Sequence, residues 1–202
     1  MSDIGVAVIG FGLAGRVFHA PFVSAVPGLK LEAIVQRRGG EAAKAYPAAR
    51  ILRSVEEAFA DPAIQLIVVG TPNETHFTLA KQALEAGKHV VIDKPFAATS
   101  AQARELIELA SSRSLIIAPF HNRRWDGDFL TVRKLIDRKS VGRLVTFESH
   151  FDRFRPLPRG HVEGVEQPGQ RNALRPRAAS GRSDAGALRN ASGDHRQRSQ
   201  GP

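Results

Sequence analysis

Three groups of polar residues, each directly after an apolar run, could do chemistry in this 202-residue chain. The first is Asp93-Lys94-Pro95, which follows the run His89–Ile92. Proline disfavours the helical region for the residue before it, so Lys94 is held extended at a strand end. A lysine desolvated there can give a proton to, or take one from, a substrate hydroxyl. Asp93 can pair with it or cap the next turn. The second group is Thr71-Pro72-Asn73 with His76, after Ile64–Val69. Asn73 offers hydrogen bonds to a ligand. His76 suits packing or capping better than metal binding, because no cluster of ligands accompanies it and no metal is expected. The third is Asn122-Arg123-Arg124, after Leu115–Ala118. One of these arginines can meet a substrate hydroxyl or a phosphate. The chain has no cysteine and shows no nucleophile elbow or Ser/His/Asp arrangement, which excludes thiolate chemistry and points away from acyl transfer.

What these residues would act with is suggested near the start of the chain. Gly10-Phe11-Gly12-Leu13-Ala14-Gly15 follows the apolar run Ile4–Ile9 and opens a helix. G-x-G-x-x-G in that context is a dinucleotide fingerprint. Gly10 serves the tight turn, Gly12 the approach of a pyrophosphate, and Gly15 the close packing of helix on strand. The helix N-terminus presents unpaired N–H groups to the phosphates. The end of the next strand, ~20 residues on, usually carries the acid that holds the ribose of NAD. Here it carries Gln36, Arg37 and Arg38. Guanidinium groups favour a 2′-phosphate and a carboxylate would repel it, so NADP is expected in preference to NAD.

The elements needed to position these groups can be read from periodicity. Strands are expected at Ile4–Ile9, Lys30–Val35, Arg50–Leu52, Ile64–Val69, His89–Ile92 and Leu115–Ala118. Helices are expected from the glycine turn to about Val26, kinked at Pro21, and at 41–45, 55–60, 74–86, 100–112 and 128–137. This alternation predicts an α/β fold, a Rossmann doubly wound parallel sheet. Leu144–Phe151 alternates apolar and polar residues, unlike the earlier runs, and reads as a strand of a different sheet.

Taken together, the glycine fingerprint, Gly70-Thr71-Pro72-Asn73 with His76, the stretch Leu84–Pro95 and the segment Asn122–Trp125 resemble the glucose–fructose oxidoreductase / inositol dehydrogenase (Gfo/Idh/MocA) family, and within it the YdgJ-type branch. The resemblance covers residues 1–156. It implies an NAD(P)-binding Rossmann domain at 1–120 and the start of a substrate domain, α+β in class, at 121–156. It also implies hydride transfer to or from a sugar, polyol or related carbonyl substrate. Lys94 matches the lysine of the family's Glu-Lys-Pro motif, a catalytic or substrate-orienting group, with Asp93 in place of the glutamate. Leu144–Phe151 matches the first strand of the family's second domain, which often carries the contacts of a homo-oligomer. The cofactor set implied is Gly10 to Gly15, Gln36, Arg37, Arg38, Thr71, Pro72, Asn73, His76, Asp93, Lys94, Asn122 and Arg123.

After Pro156 the pattern stops. Residues 157–202 hold eight Arg, four acids and no Ile, Phe, Tyr, Trp, Met or Lys, and lack any periodicity. Such a segment cannot bury enough apolar surface to order itself and is expected to be a disordered tail. His161–Arg196 can be back-translated so that a frame starting one nucleotide later contains GPHLVD, a form of the Gly-x-His-x-x-Asp signature of the family's second domain. A one-nucleotide insertion or deletion near codons 156–160 is therefore expected, with most of the substrate domain missing and turnover impaired. A nucleotide-binding remnant without catalysis is the alternative. The formal charge of +9 includes +4 from this tail. Without interleaved aromatics the tail does not predict nucleic-acid binding. No apolar run is long enough to span a membrane and none reads as a signal peptide, so a cytoplasmic protein is expected.

Overall fold

A computed structural model describes residues 3–150 and 152. Within them the strands are β1 (Ile4–Ile9), β2 (Leu29–Val35), β3 (Arg50–Leu52), β4 (Leu66–Val69), β5 (His89–Ile92) and β6 (Ile117–Pro119). They form one parallel sheet of six strands in the order β3-β2-β1-β4-β5-β6. Strand order reverses between β1 and β4, the switch point where such sheets bind ligands beyond their C-terminal ends. β1 pairs there with β4, Ala7 opposite Ile67 and Ile9 opposite Val69. The expected doubly wound sheet is present.

The run in β1 is apolar throughout because both of its faces are covered. Ala7 and Ile9 pack on one side with Ile67, Val69, Val90 and Ile92, against α4 (His76–Glu85) and α5 (Ser100–Ser112) through Ala80, Leu84 and Leu106. Val6, Val8 and Val68 face the other side, with Val23 of α1 (Ala20–Ala25). Each fully buried Val, Ile or Leu contributes about 1.5–3 kcal/mol. The short helices α2 (Glu41–Ala45) and α3 (Val55–Ala60) flank β3. Ser54 and Glu57 close a capping box on α3.

Several boundaries differ from the sequence reading for local reasons. The helix after the glycine turn does not run evenly to Val26. Gly15–His19 is a π-helical turn, and α1 begins only at Ala20 with Pro21 in its first turn, where a missing N–H is harmless. Residues Asn73–Thr75 form a 3-10 turn ahead of α4. β6 starts at Ile117 rather than Leu115, because the Leu115 N–H still bonds the Ala110 carbonyl at the end of α5.

The chain divides into two compact units between Asp126 and Gly127. The 3-10 turn Asn122–Trp125 belongs to the first. The second unit contains α6 (Gly127–Asp137), close to its expected position. Residues 144–150 do not form the expected strand. A strand needs a ladder partner for its N–H and C=O groups, and no described residue pairs with this segment. Leu144, Val145 and Phe147 are exposed along it. The expected disorder of 157–202 lies outside the described residues.

Candidate functional site

The glycine turn sits at the C-terminal end of β1. Gly10 has φ +95°, a conformation that favours glycine, and its N–H bonds the Val35 carbonyl at 3.0 Å. A Cβ on Gly15 would collide with the Gly10 carbonyl oxygen, so only glycine lets the helix come this close. A Cβ on Gly12 would meet nothing within 4 Å. The three glycines thus differ in local geometry: a left-handed turn at Gly10, an open face at Gly12 and a close approach at Gly15.

The open face of Gly12 looks into a groove of about 1140 Å³. Gly10, Phe11, Gly12 and Ala14 line one wall, Gln36, Arg37 and Arg38 another, and Thr71 and Pro72 a third. Nine of the expected cofactor residues therefore share one cavity. The donors and the open face fit a dinucleotide: backbone N–H groups for the pyrophosphate, two exposed guanidinium groups for an anionic ribose. Leu13 and Gly15 do not line it; Leu13 points to solvent and Gly15 is buried behind the turn.

Gln36 lines the groove and also bonds the start of α2. Its Nε2 donates to Glu41 Oε2 at 2.6 Å, and its Oε1 accepts the Ala42 N–H at 3.1 Å. One N–H and one lone pair of its amide are thus used at the start of α2. The Glu41 carboxyl lies below the usual carboxylate range, held there by its own backbone N–H and by the Gln36 amide. Arg53 was not foreseen. It lines the same groove, and its Nη1 donates to the carbonyls of Gln36 at 2.8 Å and Gly39 at 3.1 Å. The available signal was its place just after β3, beside the exit of β2 in the sheet.

At the switch point His76 is buried, with Nδ1 2.8 Å from the Pro95 carbonyl and Nε2 2.9 Å from that of Thr71. Both carbonyls only accept, so a neutral ring donates to one of them, in either tautomer, while it packs between the two strand exits. Asp93 lies between them in chain order, its Oδ1 accepting the Lys94 N–H at 2.8 Å. Burial pushes the Asp93 carboxyl up. The neighbouring His19 imidazole and the Lys94 N–H more than offset this and hold it below its ordinary value. Lys94 itself is exposed, not desolvated as expected, because no described element covers it. The Lys94–Pro95 peptide is cis.

Asn73 is exposed and lies outside the groove lining. Asn122 lines a second groove of about 680 Å³, with Phe22, Pro119, Phe120, Arg124 and Trp125. Arg123 turns to Asp126, Nη1 to Oδ2 2.6 Å. Neither joins the dinucleotide groove in this structure. Among the described residues no group of three or more His, Cys, Asp or Glu is placed to hold a metal ion, and no helix is long and apolar enough to cross a membrane.

Residues 4–121 match the family described as an oxidoreductase family with an NAD-binding Rossmann fold, GFO_IDH_MocA. The chain is 48% identical over 170 residues to the uncharacterized oxidoreductase YdgJ of Escherichia coli (strain K12), a match covering 84% of this chain and 49% of that protein. It is 37% identical over 156 residues to scyllo-inositol 2-dehydrogenase (NADP(+)) IolW of Bacillus subtilis (strain 168), covering 77% and 44% respectively. An oxidoreductase structure from Bacillus cereus superposes with a TM-score of 0.71 at 34% identity, covering 76% of this chain and 45% of that one. GenD2 from gentamicin A biosynthesis, solved in complex with NAD, gives a TM-score of 0.65 at 31% identity, covering 69% and 40%. The chain spans about half the length of the curated relatives it matches.

Proposed function

The chain belongs to the Gfo/Idh/MocA family of NAD-binding Rossmann oxidoreductases, and from that premise we propose that it binds NADP in the Gly12 groove and serves hydride transfer to or from a sugar, polyol or related hydroxy or keto compound. The observation that carries the cofactor half is the open face of Gly12 in a groove that also holds Arg37 and Arg38. Gly10 to Gly15 would hold the pyrophosphate, and the two arginines the 2′-phosphate. The nicotinamide supplies a hydride, or accepts one, when bound. Lys94, exposed at the β5 exit, is the residue we assign to the substrate hydroxyl or carbonyl. Support for NADP and for a polyol or sugar comes from the names of IolW and of a second relative, the D-xylose 1-dehydrogenase (NADP(+)) of Hypocrea jecorina, 36% identical over 94 residues. Cytoplasmic location belongs to the same proposal; the homo-oligomer of the full-length family is not extended to this chain.

A second reading is a nucleotide-binding chain without turnover; what favours it is that Lys94 is exposed, with no described element covering it. The change of reading frame expected near codons 156–160 is tested by resequencing the gene against its source genome. Titration of the full chain with NADPH and NADH, followed by nicotinamide fluorescence, tests the cofactor half. Saturable binding that favours NADPH is expected, and the absence of binding to either overturns it. A screen of inositols and pentoses for NADPH formation then separates the two readings: turnover supports the enzyme, and binding with no turnover supports the remnant.

A further inference from the structure

His19 is buried to within 3% of its surface, and its Nε2 has no hydrogen-bond partner. An unpaired buried polar atom costs about 1–3 kcal/mol. The surroundings hold the ring in place in spite of that. The π-helical turn Gly15–His19 ends on this residue, and such turns insert one residue into the helical repeat and are frequent at functional sites. The ring edge lies over Gly70, where an added Cβ would stand 3.1 Å from His19 Cδ2. The Phe120 ring packs on it, with centroids 4.5 Å apart at 60°. Nε2 faces Asp93 Oδ2 at 3.9 Å, inside ion-pair range but too long for a hydrogen bond. One imidazole therefore touches the residues that follow β4, β5 and β6, from the helical turn that follows β1.

We propose that His19 is a positioning residue for Lys94, acting through Asp93. The carboxylate is shared. One oxygen accepts the Lys94 backbone N–H, and the other faces the orphaned His19 Nε2. Holding the carboxylate in place holds the start of the Lys94–Pro95 segment, whose first N–H it accepts. The charged and titratable groups acting on this carboxylate are His19 and Lys94; Gly70 and Phe120, the other residues against the imidazole, carry no charge. The depressed Asp93 value has the same two residues as its causes. The role assigned to His19 rests on reading Lys94 as the substrate-facing amine, but the geometry it predicts can be measured without substrate or cofactor.

The experiment is a carbon-13 NMR titration of Asp93 in the full chain, its signal assigned by its loss in Asp93→Asn, together with the Lys94 amide shift. Two variants are compared with the parent. His19→Phe fills the site with no donor, and His19→Gln keeps an N–H at similar reach. In His19→Phe the Asp93 midpoint should rise by about half a pH unit or more, and the Lys94 amide signal should move as its hydrogen bond loosens. His19→Gln should restore part of both effects, which a packing role alone would not do. If His19→Phe does not fold, His19→Leu, which also brings no donor, takes its place. An unchanged midpoint and amide shift in the donor-free variant would overturn the proposal. Binding of NADPH, measured on the same samples, separates this result from the cofactor reading. Lost binding with an intact His19 effect rejects the cofactor reading alone. Intact binding with no His19 effect rejects the positioning role alone.

Discussion

Arg53 reaches back from the end of β3 and donates from a single Nη1 to the carbonyl oxygens of Gln36 and Gly39, at 2.8 and 3.1 Å. Those carbonyls bracket Arg37 and Arg38, so the clamp holds the short loop that presents both guanidinium groups to the groove. Arg53→Ala should weaken NADPH binding by about fivefold to tenfold, through a looser loop and the loss of a nearby positive charge. Arg53→Lys, which keeps the charge and loses the fork, should recover only part of that. NADPH titration of both variants is the check; equal affinity in Arg53→Ala and the parent would rule out the clamp.

Arg37→Ala and Arg38→Ala should act differently from Arg53→Ala. A lost charge-assisted bond to a 2′-phosphate is worth about 1.5–3 kcal/mol, on the order of tenfold to a hundredfold in affinity. NADH lacks that phosphate, so its binding should change little. The ratio of NADPH to NADH affinity in each variant is the measurement. A parallel loss for both cofactors would place these residues elsewhere than at the 2′ position.

The glycines should separate fold from binding. Gly12→Ala adds a methyl group to open space, so the melting temperature should stay within about 2 °C. The same methyl stands on the face we assign to the pyrophosphate, so NADPH affinity should fall by about tenfold or more. Gly15→Ala puts its methyl into the Gly10 carbonyl and should lower stability as well as binding. Thermal melts and NADPH titrations of the pair test this. A Gly12→Ala protein that binds as tightly as the parent would contradict the assignment of the pyrophosphate.

How much of this was legible beforehand follows from what each feature depends on. The sheet order was readable because β1, β2, β4 and β5 are short apolar runs bounded by turn residues, and parallel connection then leaves few topologies. The glycine turn was readable because its demands are steric and local. The bonds of Gln36 to Glu41 and Ala42 were not legible, because they depend on where α2 begins. Arg53 and His19 were missed for a related reason. Each acts across the sheet, Arg53 on the exit of β2 and His19 on that of β5, and neither belongs to a short motif. The strand expected at Leu144–Phe151 had the right alternation, but alternation specifies only which face is buried, and a ladder needs a second chain segment.

Asp61 and Asp93 should make stability depend on acid. The Asp61 carboxyl is held below its ordinary value by the Ala63 N–H at 2.8 Å and by Arg50 at 2.5 Å, against the effect of burial. Asp93 is also lowered, its burial outweighed by His19 and the Lys94 N–H. A carboxyl whose folded value is depressed contributes stability above its unfolded value, and that contribution is lost as pH falls through the folded value. The urea midpoint should therefore fall steeply below about pH 4. Asp61→Asn and Asp93→Asn should each flatten that fall while lowering the midpoint at pH 7. A slope unchanged in both variants would show that other carboxylates govern it.

Exposed apolar surface should govern how the chain behaves in solution. Val141, Val145 and Phe147 are 59%, 67% and 53% exposed, with Leu144 between them. Their segment forms no ladder among the described residues, so its N–H and C=O groups are available to pair with another copy. Apolar side chains next to unpaired backbone favour association. Light scattering should show concentration-dependent species larger than a monomer. Replacing Val145 and Phe147 together with lysine puts charge on that surface, and should shift the distribution toward monomer without changing the melting temperature of the first unit. A parent chain that is already sharply monodisperse at the mass of one copy would show that this surface is covered from within the chain.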